Sequence, residues 1–99
     1  MNLPHKCHSL EEIRAEIDEI DHTIISLIGR RFSYIHEIIE FKNNTDEVWA
    51  KNRYSEVIMD RREFAATCNL NPDIIENIYR IILDHSIKVQ LGLLKNKHK

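Results

Sequence analysis

The stretch LEEIRAEIDEIDHTIISLIGRRFSYIHEIIEFK, residues 10–42, decides the fold. Leu10, Ile13, Ile17, Ile20, Ile24 and Leu27 recur at steps of three and four, and Tyr34, Ile38 and Phe41 continue the series. On a helix of 3.6 residues per turn that spacing makes one apolar stripe. Ser9 and Glu12 form a capping box at its start, no proline interrupts it, and Gly29 is its weak point. The pattern predicts a helix over about 9–42, which at 1.5 Å per residue reaches roughly 50 Å. A chain of 99 residues folds to a narrower domain than that, so the rest of the chain leaves much of the stripe uncovered. A second copy is the expected cover, giving an interlocked homodimer.

Arg31 takes a slot of this seam that the pattern reserves for an apolar side chain. Burying an unpaired guanidinium is costly, so the position implies a facing anion, either an acidic group of the protein or a ligand. Lys42 follows eleven residues later, which at about 100° per residue returns it to the same side of the predicted helix. Arg14 lies seventeen residues before Arg31, about 25 Å along the axis. It cannot reach the same ligand within one chain. In an antiparallel dimer the start of one long helix passes the middle of the other, and Arg14 of the partner subunit then enters the site.

Downstream, Asn43 to Val48 breaks the periodicity and reads as a mobile loop. A second helix is predicted over 50–67, with Val57, Ile58, Phe64 and Ala65 toward the core and Arg61 and Arg62 on a polar face. Cys68, Asn69 and Leu70 end it. Asn71 as cap, Pro72 as first helical residue and Asp73 in the first turn open a third helix over 72–94, with Ile75, Ile78, Ile82, Val89 and Leu93 as its core stripe. Ser86 and Gln90, four apart, share one face and interrupt an otherwise apolar helix. They either bond internally or wait for a partner. The fold class is therefore all-α, three helices in a single domain of residues 1–99, one of them very long.

Composition narrows the function. The net charge of -2 gives none of the basic field that nucleic-acid or membrane-surface binding needs. Met1 to Ser9 lacks the apolar run of a signal peptide, and no later stretch is long and uncharged enough to span a bilayer, so a soluble, cytoplasmic protein is expected. Cys7 and Cys68 are too few for a disulfide framework and are expected to be reduced thiols. His5, Cys7 and His8 lack a second cluster to complete a zinc site, so no metal is expected. Two glycines cannot build a phosphate loop, which speaks against nucleotides. His22, His36 and His85 fall at unrelated helical positions, and the run Lys95–Lys99 reads as a frayed, solvated helix end. What remains is a set of cations with a neutral Gln90 and no nucleophile–base device. It suits binding and polarising a small dianion without covalent catalysis.

These residues resemble a known family. Leu10-Glu-Glu-Ile-Arg14-Ala-Glu-Ile-Asp18-Glu-Ile-Asp21, Leu27-Ile-Gly-Arg30-Arg31, Lys42, Arg53 and Ser86-Ile-Lys-Val-Gln90 look like the all-helical bacterial chorismate mutases, type II fold, over nearly the whole chain. Cys7-x-x-Leu10 is similar to the lead-in of the isochorismate pyruvate lyases of salicylate and siderophore biosynthesis. The resemblance implies that Arg31 and the partner's Arg14 hold the substrate carboxylates. It puts Lys42 beside the ether oxygen and a carboxylate, Gln90 at the ether oxygen, Arg53 as added positive charge, and Ser86 as pocket lining. No cofactor is implied.

Departures from the mutase pattern choose within the family. Mutases carry an acidic residue three before the second-helix arginine and a glutamate just after it, both toward the ring hydroxyl. Aligned on Arg53, this chain has Ala50 and Tyr54 there, as the lyases lack both carboxylates, whereas Ser86 is the mutase-like choice. The resemblance thus implies a lyase that converts isochorismate to salicylate and pyruvate by a pericyclic hydrogen transfer, with possible weak mutase activity. The alternatives are a chorismate mutase making prephenate and, from another class, a non-catalytic helical interaction module.

Overall fold

The computed structural model describes residues 6–97, and every described element is helical. His5, His98 and Lys99, which figure in the sequence reading, lie outside the described residues. The elements are α1 (Leu10–Ile38), a 3-10 turn (Ile39–Phe41), α2 (Thr45–Trp49), α3 (Lys51–Thr67) and α4 (Pro72–Lys97). None of these helices is long and apolar enough to cross a membrane. By internal contacts the chain divides into two compact units, residues 1–34 and 35–99.

In the first unit α1 starts where the capping box predicts. The Glu12 amide donates to Ser9 Oγ at 3.1 Å, while the Glu12 carboxylate accepts from the His8 amide at 2.7 Å, one residue earlier than the reciprocal bond of an ideal box. No residue of α1 is buried in the single chain. Ile17 and Ile24 are each 49% exposed and Leu27 54%. Arg31 is half-buried, better covered than the Leu27 and Tyr34 that flank it on the seam.

The second unit holds the core. Ile39, Val48, Ile87 and Leu94 form one cluster, with Tyr54, Leu91 and Leu93 against it. Val57, Ile58 and Leu83 form another, sharing Tyr54 and adding Tyr79. The buried stripe of α4 is Leu83, Ser86, Ile87, Gln90 and Leu94, one position round from the predicted one. Ile75, Ile82, Val89 and Leu93 are only half-buried and Ile78 is exposed. Phe64 likewise proves 66% exposed, while Val57, Ile58 and Ala65 are buried as predicted. With isoleucines all round α4, periodicity alone does not choose which flank meets α3.

A polar ladder ties α3 to α4. Arg62 donates to Asp73 and Glu76, both at 2.8 Å, and Arg80 donates to Glu76 at 2.7 Å. Arg80 also lies over the Tyr54 ring, 5.8 Å from its centroid, and the Tyr54 hydroxyl donates to Asp84 at 2.7 Å. Between the helices, Asn69 takes the left-handed conformation at φ 60. The Leu70 amide then reaches Ala65 O and the Asn69 amide reaches Ala66 O, the two bonds of a Schellman cap. Asn71 caps α4 by accepting from the Asp73 amide at 2.8 Å.

Two stretches differ from the sequence expectation. Lys42 is not helical: α1 stops at Ile38, its end tightens to the 3-10 turn, and Lys42 is extended at φ -111, ψ 136. The cause is the Asn43–Asn44 pair. The Glu47 carboxylate accepts from the Asn43 amide and from Asn44 Nδ2, while Asn44 Oδ1 accepts from the Glu47 amide at 2.9 Å. These local bonds compete with helix continuation and open a new one. The predicted loop over 43–48 is therefore mostly α2, and Asn44 followed by Glu47 is the capping-box spacing that announces it.

Candidate active site

Among residues 35–99, the buried polar groups of α4 are the first clue. Ser86 is 2% exposed and Gln90 6%, within a stripe otherwise made of Leu83, Ile87 and Leu94. Ser86 Oγ donates to Ile82 O at 2.8 Å, so its hydrogen serves its own helix. Gln90 is different. Its Oε1 is buried and meets no hydrogen-bond donor among the described residues. A buried acceptor left without a donor costs about 1–3 kcal/mol, and native proteins keep few of them. An amide held in an apolar wall with one end unsatisfied is suited to a polar ligand.

Lys42 is held by the same packing. Ile39, three residues before it, shares a cluster with Ile87 and Leu94, the residues on either side of Gln90 along the α4 stripe. Lys42 Nζ donates to Glu47 O, a backbone carbonyl of α2. A neutral carbonyl is a weaker partner for an ammonium than a carboxylate, so an arriving anion can take that place. Lys42 and Gln90 thus rise from elements that pack on one cluster, one as a charge and the other as an amide dipole.

Arg53 stands on the first turn of α3 and lines an open cleft of about 930 Å³ with Asp46, Trp49, Ala50, Lys51 and Asn52. Ala50 makes the corner. At φ 42, ψ 57 it both ends α2, its amide donating to Asp46 O at 3.0 Å, and starts α3, its carbonyl accepting from the Tyr54 amide at 2.9 Å. A left-handed alanine is strained, since its Cβ approaches the following carbonyl. Tyr54 points to α4, and its burial and the bond to the Asp84 carboxylate push the phenol pKa up. Nearby, hydrogen bonds from Arg80 above all hold the Glu76 carboxyl below the usual range.

Of the residues singled out in the sequence, this unit contains Lys42, Arg53, Ser86 and Gln90. Arg14 and Arg31 belong to residues 1–34, Arg14 exposed and Arg31 half-buried on α1.

A model of the family described as chorismate mutase type II matches residues 13–91. The chain belongs to that family. Two of its relatives bear the names of different activities. It is 29% identical to the isochorismate pyruvate lyase of Pseudomonas aeruginosa over 91 residues, covering 92% of this chain and 90% of that protein. It is 33% identical to the chorismate mutase of Methanocaldococcus jannaschii over 94 residues, covering 91% and 95%. A third relative, the T-protein of Enterobacter agglomerans, is 26% identical over 78 residues, which make up 21% of its length. The chorismate mutase family is one of pericyclic-type enzymes that act on small, chorismate-like substrates.

Proposed function

We propose that the chain is an isochorismate pyruvate lyase. A ring hydrogen moves to the methylene of the enolpyruvyl group as the bond between ring carbon and ether oxygen breaks. The ring becomes aromatic as salicylate, and the side chain leaves as pyruvate. No proton shuttle is required. The protein selects the compact conformer of a floppy dianion, which removes an entropic obstacle before chemistry begins. Lys42 Nζ and the Nε2 hydrogens of the Gln90 side chain stabilise, as donors, the charge that grows on the ether oxygen. Arg31 and Arg14 of the partner subunit hold the carboxylates, Arg53 adds positive charge, and Ser86 lines the wall. The chain acts as a homodimer with shared sites, in keeping with an α1 seam whose isoleucines stand exposed in the single chain.

The observation that favours lyase over mutase is the state of positions 50 and 54. Ala50 has no carboxylate, and the Tyr54 hydroxyl is committed to Asp84 on α4. Neither position then offers a carboxylate to the ring hydroxyl of chorismate, and the one hydroxyl there has its hydrogen engaged by Asp84. Ser86, mutase-like in the family pattern, and the 33% identity to a chorismate mutase favour prephenate formation as the second reading. Supplying isochorismate and chorismate separately, and following salicylate fluorescence and prephenate, tests both. Salicylate at much the higher kcat/KM supports the lyase, and efficient prephenate without salicylate makes the protein a mutase. Silence in both assays returns the non-catalytic module.

A further inference from the structure

Lys97, in the last turn of α4, reaches back more than fifty residues in sequence. Its ammonium donates to Ile39 O at 3.1 Å, Glu40 O at 3.2 Å and Lys42 O at 3.0 Å. An ammonium has three N–H donors, so all three are spent on backbone carbonyls where α1 and its 3-10 turn run out. Carbonyls at the C-terminal end of a helix carry the negative end of its dipole, so a cation there is favoured. The contact is built in from below. Leu94, one turn before Lys97, is buried in the cluster that contains Ile39.

The consequence falls on Lys42. Its amide donates to Ile39 O at 3.1 Å, and its carbonyl and the Ile39 carbonyl both accept from Lys97. The peptide groups on either side of the Lys42 Cα are thereby fixed, and only the side chain is left to swing between Glu47 O and a ligand. The geometry points to Lys97 as a positioning residue for Lys42, with no contact to substrate. The role at Lys42 rests on the function proposed above, but the clamp itself is read from the backbone bonds. The run at residues 95–99, which by composition reads as a frayed end, thus supplies in Lys97 a part of the site.

The test replaces Lys97 with Met, which keeps the stem and removes the ammonium, and with Arg, which restores a cation with several donors. Steady-state turnover of isochorismate and chorismate is measured alongside hydrogen exchange at the Lys42 amide. In Lys97→Met, kcat is expected to fall about tenfold with KM changed less than about twofold, because misplacing a group that acts in the transition state costs rate more than binding. Lys97→Arg should regain most of the loss, and exchange at Lys42 should quicken in Lys97→Met while α4 near Leu83 stays protected. Unchanged kcat together with unchanged exchange at Lys42 overturns the positioning role and leaves the lyase reading standing. A wild-type protein inactive on both substrates overturns the lyase and mutase readings instead. The clamp is then judged by exchange alone: faster exchange at Lys42 in Lys97→Met supports it, and none refutes it.

Discussion

Replacing Gln90 with Met should make the protein more stable and nearly inactive. Gln90 is 6% exposed, and its Oε1 is buried without a donor among the described residues. Met has the same length, no acceptor to orphan, and a flexible stem suited to the wall formed by Ile87 and Leu94. Removing an unsatisfied buried acceptor returns about 1–3 kcal/mol, and the lower end of that range is prudent for a side chain that still touches solvent. For a domain of this size about 1 kcal/mol raises Tm by roughly 4–8 °C. The assay is thermal unfolding of wild type and Gln90→Met at one fixed protein concentration, since a dimer's Tm depends on it. The same samples are assayed for turnover. Loss of the amide from the place where charge develops should lower kcat on the order of a hundredfold, at the scale of one oxyanion-type donor. The two changes must go in opposite directions. A Tm that falls while turnover persists would refute the reasoning, for Gln90 would then be a structural amide satisfied within the fold.

Ala50→Gly should raise the urea midpoint by the equivalent of about 0.5 kcal/mol, relief of left-handed strain less the greater freedom of glycine in the unfolded chain; a lowered midpoint would contradict the φ 42 corner. Tyr54→Phe should cost about 1 kcal/mol by removing the bond to Asp84, measured by the same denaturation, with the salicylate rate little changed. Because burial and Asp84 raise the Tyr54 pKa, the folded state holds that proton more tightly than the unfolded one. Its contribution is whole below about pH 10, the ordinary tyrosine value, and is lost as pH rises through the folded value. Phe at position 54 should flatten that alkaline limb. Mixing Arg14→Ala chains with Arg31→Ala chains should recover about a quarter of wild-type turnover, since half the dimers are mixed and each carries one intact site; no recovery would mean that both arginines serve one chain's own site.

How much of this could be read beforehand varies by element. Ser9, Glu12, Asn71 and Pro72 announced where α1 and α4 begin, because capping is local chemistry between residues two or three apart. The pairing of Ser86 with Gln90 on one face was equally legible from their spacing, and the structure buries both. Asn44 and Glu47 carried the same kind of signal for α2, but a polar stretch between two helices masked it. Lys42 as a continuation of the long helix was the main error. The apolar pattern through Phe41 favoured helix, and the competing bonds of Asn43 and Asn44 ended it.

The sequence by itself determined an all-α chain with one long amphipathic helix, two caps, a cationic set, and a polar pair on the last helix, because periodicity, capping and charge are properties of residues near one another in the chain. Only the tertiary structure decided which flank of α4 is buried, that Ser86 is satisfied by Ile82 while Gln90 Oε1 is not, that Tyr54 turns to Asp84, and that Lys97 grips the end of the first helix. Each of these depends on partners from about four to nearly sixty residues away, or on the absence of one. Whether a buried polar atom finds a donor is settled by how helices meet, and no spacing along the chain encodes it.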